Sequence, residues 1–461
     1  MSNLLNTLGI GRSGLSTASS LINATSHNVA NANTEGYTRR SGRVETADPV
    51  NVRGHDFGNG AELTGFTRHS EVLIDERLME SLGDEAQAGA MHQALYELEV
   101  YFSEDVPNGP AQALDGFFDS LARLTTDPSD RALRETVLEA GERLATSVQR
   151  TASALSDRLD DIGDRLSATV GSVQDMLDQV AQLNGLISQP GANLGQGDYQ
   201  DQRDALVRDL ASLVGVEAQF TGDGQVSLSL GGHFLVQGTT ARDLTVDTSV
   251  AGTVSVDMET GAGVIDVSAL MGGQFGGLLD AYEAADGYAS DLDTWVASFA
   301  GAVNTQHALG FDSLGAAGGD FFAFTAGSEA LTLAMDSTLR GDPALLALAG
   351  AATAAAGDGD NLNLLLDIEE QALHAGATRT TGEALADIYA QVGRDIQSAD
   401  LDHGVFELEL DDILALRDSV SAVDLDEEAA NLMAYQASYQ AAARVLTATN
   451  DLLDVLIGIG A

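Results

Sequence analysis

The chain of 461 residues contains no cysteine, which excludes disulfides, thiol catalysis and cysteine-ligated zinc or iron–sulfur sites. It contains no lysine either, so all 22 basic side chains are arginine. A phosphate-binding GxxxxGK[ST] loop and Schiff-base chemistry both need a lysine amine and are excluded with it. No window approaches the roughly 18 uncharged apolar residues that a membrane-crossing helix needs. The first residues carry one arginine, Arg12, without an apolar run or a small-residue cleavage site, so no cleaved secretory signal is expected.

Acid is abundant: 70 Asp and Glu give a net charge of -48. Such a surface repels nucleic acid and anionic lipid, because both bind through basic patches; neither nucleic acid nor membrane insertion is expected. The acidity fits a salt-adapted, solvated surface, or a self-assembling protein kept soluble by charge. The length predicts about two to four domains.

The two ends share a pattern. Leu8, Leu15, Ile22 and Val29 recur every seventh residue, with Leu4, Ala18, Thr25 and Ala32 on a companion row. Near the other end Leu425, Leu432, Tyr439, Leu446 and Leu453 repeat the spacing, beside Tyr435, Ala442, Thr449 and Leu456. Heptads predict helices that pack side by side. Serine, threonine and asparagine dilute both seams, and an isolated helix has little besides propensity to hold it. Each terminal helix is therefore expected to pair with the other and with further copies, and to be largely disordered in a free monomer.

Between the ends, "TDPSDRALRETV" predicts a helix start with Asp127 as cap and Pro128 in the first turn. Apolar residues from Leu133 to Val180 recur at helical spacing without a proline, which predicts a rod of about 80 Å, softened at Gly163 and Gly171. Shorter helices are expected over 71–102 and 275–306. From 216 to 268 the period becomes two, as in "FTGDGQVSLSLGG" with its turn at Asp223 and Gly224, predicting about four to six strands. Ala/Gly-rich "LLALAGAATAAAGDGDN" reads as a loose surface connection, and "TTGEALADIYAQVG" resumes helix with Thr380 and Glu383 as a capping box.

The expected fold is mainly α with a small β insertion: an elongated multi-domain rod with terminal helices paired as a coiled coil and a discontinuous helical bundle. Residues 1–45 with 415–461 form the coiled-coil domain, and 46–215 with 269–414 the bundle. Residues 216–268 form the small β domain, expected at the far end.

Catalytic patterns are missing. "GRSGL" lacks the spacing of a nucleophile elbow and lies on a helix. Asp358 and Asp360 depart from a calcium loop at Leu362 and Asn363 and read as a turn before a helix. His307 reads as a helix-end histidine that packs or caps. The sequence predicts no enzyme, no cofactor and no metal site.

"LINATSHNVANANTEGYTRR" (21–40) places a polar, turn-rich break after the first helix. Asn28, Asn31 and Asn33 can bond their own backbone, Gly36 permits positive φ, and Tyr37 can pack beyond the turn. This stretch, with "SAVDLDEEAANLMAYQASYQAAARVLTATNDLLDVLI" near the other end, resembles the paired signatures of bacterial flagellar axial proteins, the rod, hook and hook-associated group. Val29, Glu35, Ala422 and Asp424 depart from the usual signature residues. "DYQDQRDALVRDLASLVGV" (199–216), "GGQFGGLLDAY" (272–282) and "VNTQHALGFDSLG" (303–315) are similar to the group's hook–filament junction members.

The resemblance implies a structural subunit that forms a homo-oligomeric ring between hook and filament, self-assembled through its terminal helices. It implies export by the flagellar type III system, an extracellular place on the flagellum, and hook protein and the filament-side junction protein as neighbours. It also implies an export chaperone on the carboxy-terminal helix, carried over to Leu432, Tyr439, Leu446 and Leu453. A hook or rod subunit is the alternative within the group; a secreted adhesin or enzyme on flagellar-type ends is the alternative outside it.

Overall fold

The computed structural model describes residues 2–34, 36–52, 55–102, 109–189, 196–221, 224–247, 253–260, 263–354 and 357–460. Helix α1 (Ser2–Ala30) lies along the last helix, α10 (Leu425–Gly460). A Cβ on Gly11 would come 3.0 Å from Leu446 Cγ, and one on Gly14 would come 3.6 Å from Ala442 Cβ. Partner numbers fall as α1 advances, so the pair is antiparallel. The glycines let the two backbones approach closely.

Residues 40–68 depart from the expected organisation, which divided them between coil and helical bundle. They form β1 (Arg40–Thr46), β2 (Val50–Val52), β3 (His55–Phe57) and β4 (Ala61–Arg68). β1 pairs antiparallel with β4 and β2 with β3, making a long ribbon. Two strands alone are marginal in water. Here the ribbon rests on α1: Ser13 Oγ accepts from Ala61 N, Thr17 Oγ1 donates to the Ala61 carbonyl, and Gly42 lies against Leu21. Because the apolar partner comes from another element, the ribbon has little periodicity of its own.

The bundle begins with α2 (Val72–Phe102), α3 (Pro110–Leu124), α4 (Arg131–Ile187) and α5 (Gln196–Val214). α4 has 57 residues, about 85 Å at the standard rise, and is unbroken through Gly163 and Gly171. Its cap is Asp130, not Asp127. The Asp130 carboxylate accepts from Ala132 N and Leu133 N, while Asp127 closes a local turn by accepting from Ser129 N and Oγ. Val137, Leu144, Val148, Leu155, Ile162, Leu166, Val173, Leu177 and Val180 form the buried stripe of α4, each stabilising by roughly 1.5–3 kcal/mol.

Among the described residues seven strands follow, rather than four to six. A four-stranded sheet takes β5 (Glu217–Phe220), β6 (Val226–Leu230), β7 (His233–Gln237) and β8 (Thr240–Ala241); a three-stranded sheet takes β9 (Leu244–Asp247), β10 (Ser255–Thr260) and β11 (Gly263–Asp266). Asp223, of the expected turn, lies outside the described residues; Gly224 has φ +86°. These sheets flank the carboxy-terminal half of α4: Asn184 Nδ2 donates to the Val226 and Gly238 carbonyls, and Gln174 accepts from Leu244 N. The β part therefore sits beside the end of the bundle nearest the coil, not at the far end.

Helix α6 (Gly273–Leu309) returns through the bundle, followed by α7 (Glu329–Thr332) and α8 (Asp360–Leu366) with β12 (Phe322–Ala323) and β13 (Ala334–Met335) between them. The segment read as a loose connection is packed: Leu346, Ala347 and Leu348 are buried. Asn361 Nδ2 donates to the Ala347 carbonyl, and Arg134 Nη1 donates to those of Pro343 and Leu346. His307 is fully buried, with Nδ1–H donating to the Gly319 carbonyl and Nε2 accepting from Ala347 N. Asp358 accepts from Gly350 N and Asp360 N at the start of α8.

Helix α9 (Thr381–Ser421) opens with a capping box of Thr380 and Glu383 and continues past the expected boundary at 414. Only Ala422 to Asp424 separate it from α10, where Asp424 accepts from Asp426 N and Glu427 N. No helix among the described residues is long and apolar enough to cross a membrane.

Candidate assembly joint

Coil and bundle meet where α1 ends, and the turn after it is built on Asn28. This side chain is buried, and its Nδ2 donates to the Arg40 carbonyl while its Oδ1 accepts from Arg40 N and from Tyr37 Oη. One asparagine thus satisfies both backbone groups of the first ribbon residue and fixes the angle at which the chain leaves the helix. Asn31 Nδ2 donates to the His27 carbonyl and its Oδ1 accepts from Thr34. Asn33 is exposed, and among the described residues its side chain joins no hydrogen bond. Gly36 has φ +74°, the left-handed region that a side chain resists. The Arg40 guanidinium lies 5.6 Å from the Tyr37 ring centre, and burial pushes the Tyr37 hydroxyl up to about 12.

A second layer clamps this elbow to α5. Arg40 donates to Asp198 (2.8 Å) and to Asp201; Arg68, opposite it in the ribbon, donates to Asp201 (2.6 Å) and Asp204 (2.8 Å). Asp204 also receives Arg203 Nη2 at 2.6 Å, and another Arg203 nitrogen holds the Gly224 carbonyl. The four residues "DQRD" therefore join the ribbon to the β part. Burial pulls the Arg68 guanidinium down, and Asp204 with Asp201 more than offset it, so it ends above its ordinary value. At 17% and 16% side-chain exposure, these pairs are shielded enough that removing one partner costs far more than at a surface.

A third contact ties in α9 and α10. Arg39 N donates to the Ser421 carbonyl, the Arg39 guanidinium pairs with Glu427 and approaches Glu428 at 3.9 Å, and Arg417 Nη2 donates to the Gly36 carbonyl. The side-chain hydrogen bond from Arg39 draws the Glu427 carboxyl below its usual range.

The seam residues divide between two environments. In α1, Gly11, Ala18, Leu21, Thr25 and Asn28 are buried, so the companion row faces inward; Leu8, Leu15 and Ile22 are half-buried and Val29 is exposed. In α10, Leu432, Leu446 and Leu453 are half-buried, whereas Leu425 and Tyr439 are exposed. Apolar residues point away from the pair on both helices, among them Leu5 (60%), Met433 (65%) and Ile457 (68%). No cluster of acids and histidines able to hold a metal occurs among the described residues.

Three comparisons bear on this architecture. Residues 95–322 match the family described as the flagellar hook-associated protein FlgK helical domain. Residues 417–459 match the flagellar basal body rod FlgEFG protein C-terminal family, and 8–38 the flagella basal body rod protein family. From end to end the chain therefore resembles flagellar hook-associated protein 1. It is 26% identical to flagellar hook-associated protein 1 of Escherichia coli (strain K12) over the whole of both chains. With that of Bacillus subtilis (strain 168) it shares 28% identity over 98% of each. The solved flagellar hook junction protein FlgK from Burkholderia pseudomallei superposes with a TM-score of 0.65 at 16% identity, covering 75% of this chain and all of that one. The fold is thus that of a mainly helical, elongated structural protein of the flagellum.

The geometry gives "DQRD" a physical reading that its sequence alone withheld. Nothing in the spacing of Asp201 and Asp204 reveals that arginines at 40 and 68 will reach them. The signal available was that basic residues are scarce and yet two stand together at Arg39 and Arg40, directly after the turn.

Proposed function

We propose that this chain forms the junction between hook and filament as a ring of copies, each contributing its α1–α10 pair to the inner wall of a tube. The observation that carries this reading is the apolar face left on both terminal helices after they have paired. A two-helix unit with leucine, methionine and isoleucine on its outer side gains by packing against further copies, at about 25 cal/mol per Å² buried. Heterologous contacts of this kind close into rings or extend as helical tubes.

The work of such a ring is adhesive and mechanical, without turnover. Hook protein on one side and the filament-side junction protein on the other are the proposed neighbours, and the place is extracellular. Export proceeds through the flagellar type III channel as an unfolded chain. The export chaperone covers Leu432, Tyr439, Leu446 and Leu453, masking the seam until assembly. The test is deletion of the gene: cells should build hooks, lack filaments and shed flagellin into the medium. Cells lacking hooks altogether would instead indicate a rod subunit.

A further inference from the structure

Beneath the elbow, a cavity of about 20 Å³ lies between the end of the ribbon, the start of α2, α5 and the end of α9. Its polar wall is Thr38, Arg68, Asp75, Asp204, Arg208 and Arg417. Three guanidinium groups converge on it against two carboxylates, and Asp204 is already shared with Arg203.

Arg417 is only 8% exposed, and its Nε makes no hydrogen bond among the described residues. Among the described residues, the carboxylate within 4.0 Å of Arg417 is that of Asp418, 3.7 Å from Nη1 and itself largely in solvent. The Nε of Arg68 is likewise buried and unpartnered. Among the described residues, Arg208 has no carboxylate within 4.0 Å. Burial, then the neighbouring charge of Arg417, draws Arg208 below its ordinary value, and burial raises the Asp75 carboxyl, which weakens it as a counter-charge.

Arginine cannot escape this by losing its proton. A buried, uncompensated cation is costly, and the cost falls when an anion completes the site. The space is small and its polar wall is mostly guanidinium, which favours a small inorganic anion that needs few further partners. We infer that this cavity binds a single chloride-sized monovalent anion, which neutralises Arg208 and Arg417 and ties the end of α9 to the elbow. This inference stands apart from the proposed place of the chain in the flagellum, since it concerns the folded single chain.

The experiment is thermal unfolding of the full chain at fixed ionic strength, with sodium glutamate progressively replaced by sodium chloride or bromide. A saturable rise in Tm is expected, about 2–3 °C when the halide reaches a hundred times its Kd. Arg417→Gln and Arg208→Gln should each remove the saturable rise, and crystals grown in bromide should show anomalous density between these two residues. The inference is overturned if Tm is the same in glutamate and halide. A rise that persists undiminished in both variants, or bromide absent from the cavity, would equally overturn it in favour of water. Should one variant fail to fold, the other and the bromide density still decide.

Discussion

Arg68 Nη2 lies 2.8 Å from Asp204 Oδ2, across 136 residues of chain. This pair links the last residue of the ribbon to the helix that carries "DQRD", and with the Arg40 pairs and the Arg417 bond to Gly36 it holds the coil half to the bundle half. Removing the guanidinium leaves Asp201 and Asp204 both short of a partner. Arg68→Ala should therefore lose about 3–5 kcal/mol of stability, read as a lower urea midpoint. Hydrogen exchange should rise first in 61–68 and 198–204.

Gly36→Ala should cost about 1–2 kcal/mol by backbone conformation alone, because alanine resists φ +74°. The added methyl would also collide with the Arg208 guanidinium. Loss of stability without loss of helix content, measured by denaturation and circular dichroism, is the expected outcome; an unchanged midpoint would mean that the elbow is free to adopt another turn.

His307 gives a pH dependence of known sign. Burial holds its imidazole below the ordinary histidine range, so on acidification the unfolded chain takes up this proton before the folded chain does. Its stabilising contribution is complete above about pH 6.5 and declines as pH falls toward the depressed folded value. Unfolding free energy measured from pH 7.5 to 5 should show this loss. His307→Gln should cost about 1–3 kcal/mol at pH 7.5 by disturbing the bonds to Gly319 and Ala347, and should flatten the acid limb.

The terminal pair should be the least stable part of the free chain. At low concentration, amides of 5–28 are expected to exchange rapidly, and protection should appear only when copies associate. Gly11→Leu should prevent that gain, since even a Cβ there lies 3.0 Å from Leu446 Cγ. Strong protection of 5–28 in a dilute monomer would refute the expectation.

Long helices were legible because one chemical signal repeats many times: the buried row from Val137 to Val180 in α4 needs no knowledge of its partners. The break after α1 was legible too, since Asn28, Asn31 and Gly36 act within a few residues of one another. The ribbon was not, because Gly42 finds its apolar surface on Leu21, an element away. Nor were the clamps on Arg40 and Arg68: in a chain with 70 acids, only folding decides which carboxylates an arginine will meet. The position of the β part beside the coil was hidden for the same reason, since Arg203 reaches Gly224 only once α5 has docked.

Just two stretches of backbone cross from coil to bundle, one at His69 to Glu71 and the other at Ala422 to Asp424. Both are short, so a bending load at one end of the rod reaches the other chiefly through guanidinium–carboxylate contacts. Such contacts can tilt and re-form in water where a continuous helix would buckle. The molecule thereby has the makings of a gimbal: stiff shafts on either side, with compliance confined to one ionic bearing whose friction depends on the surrounding electrolyte.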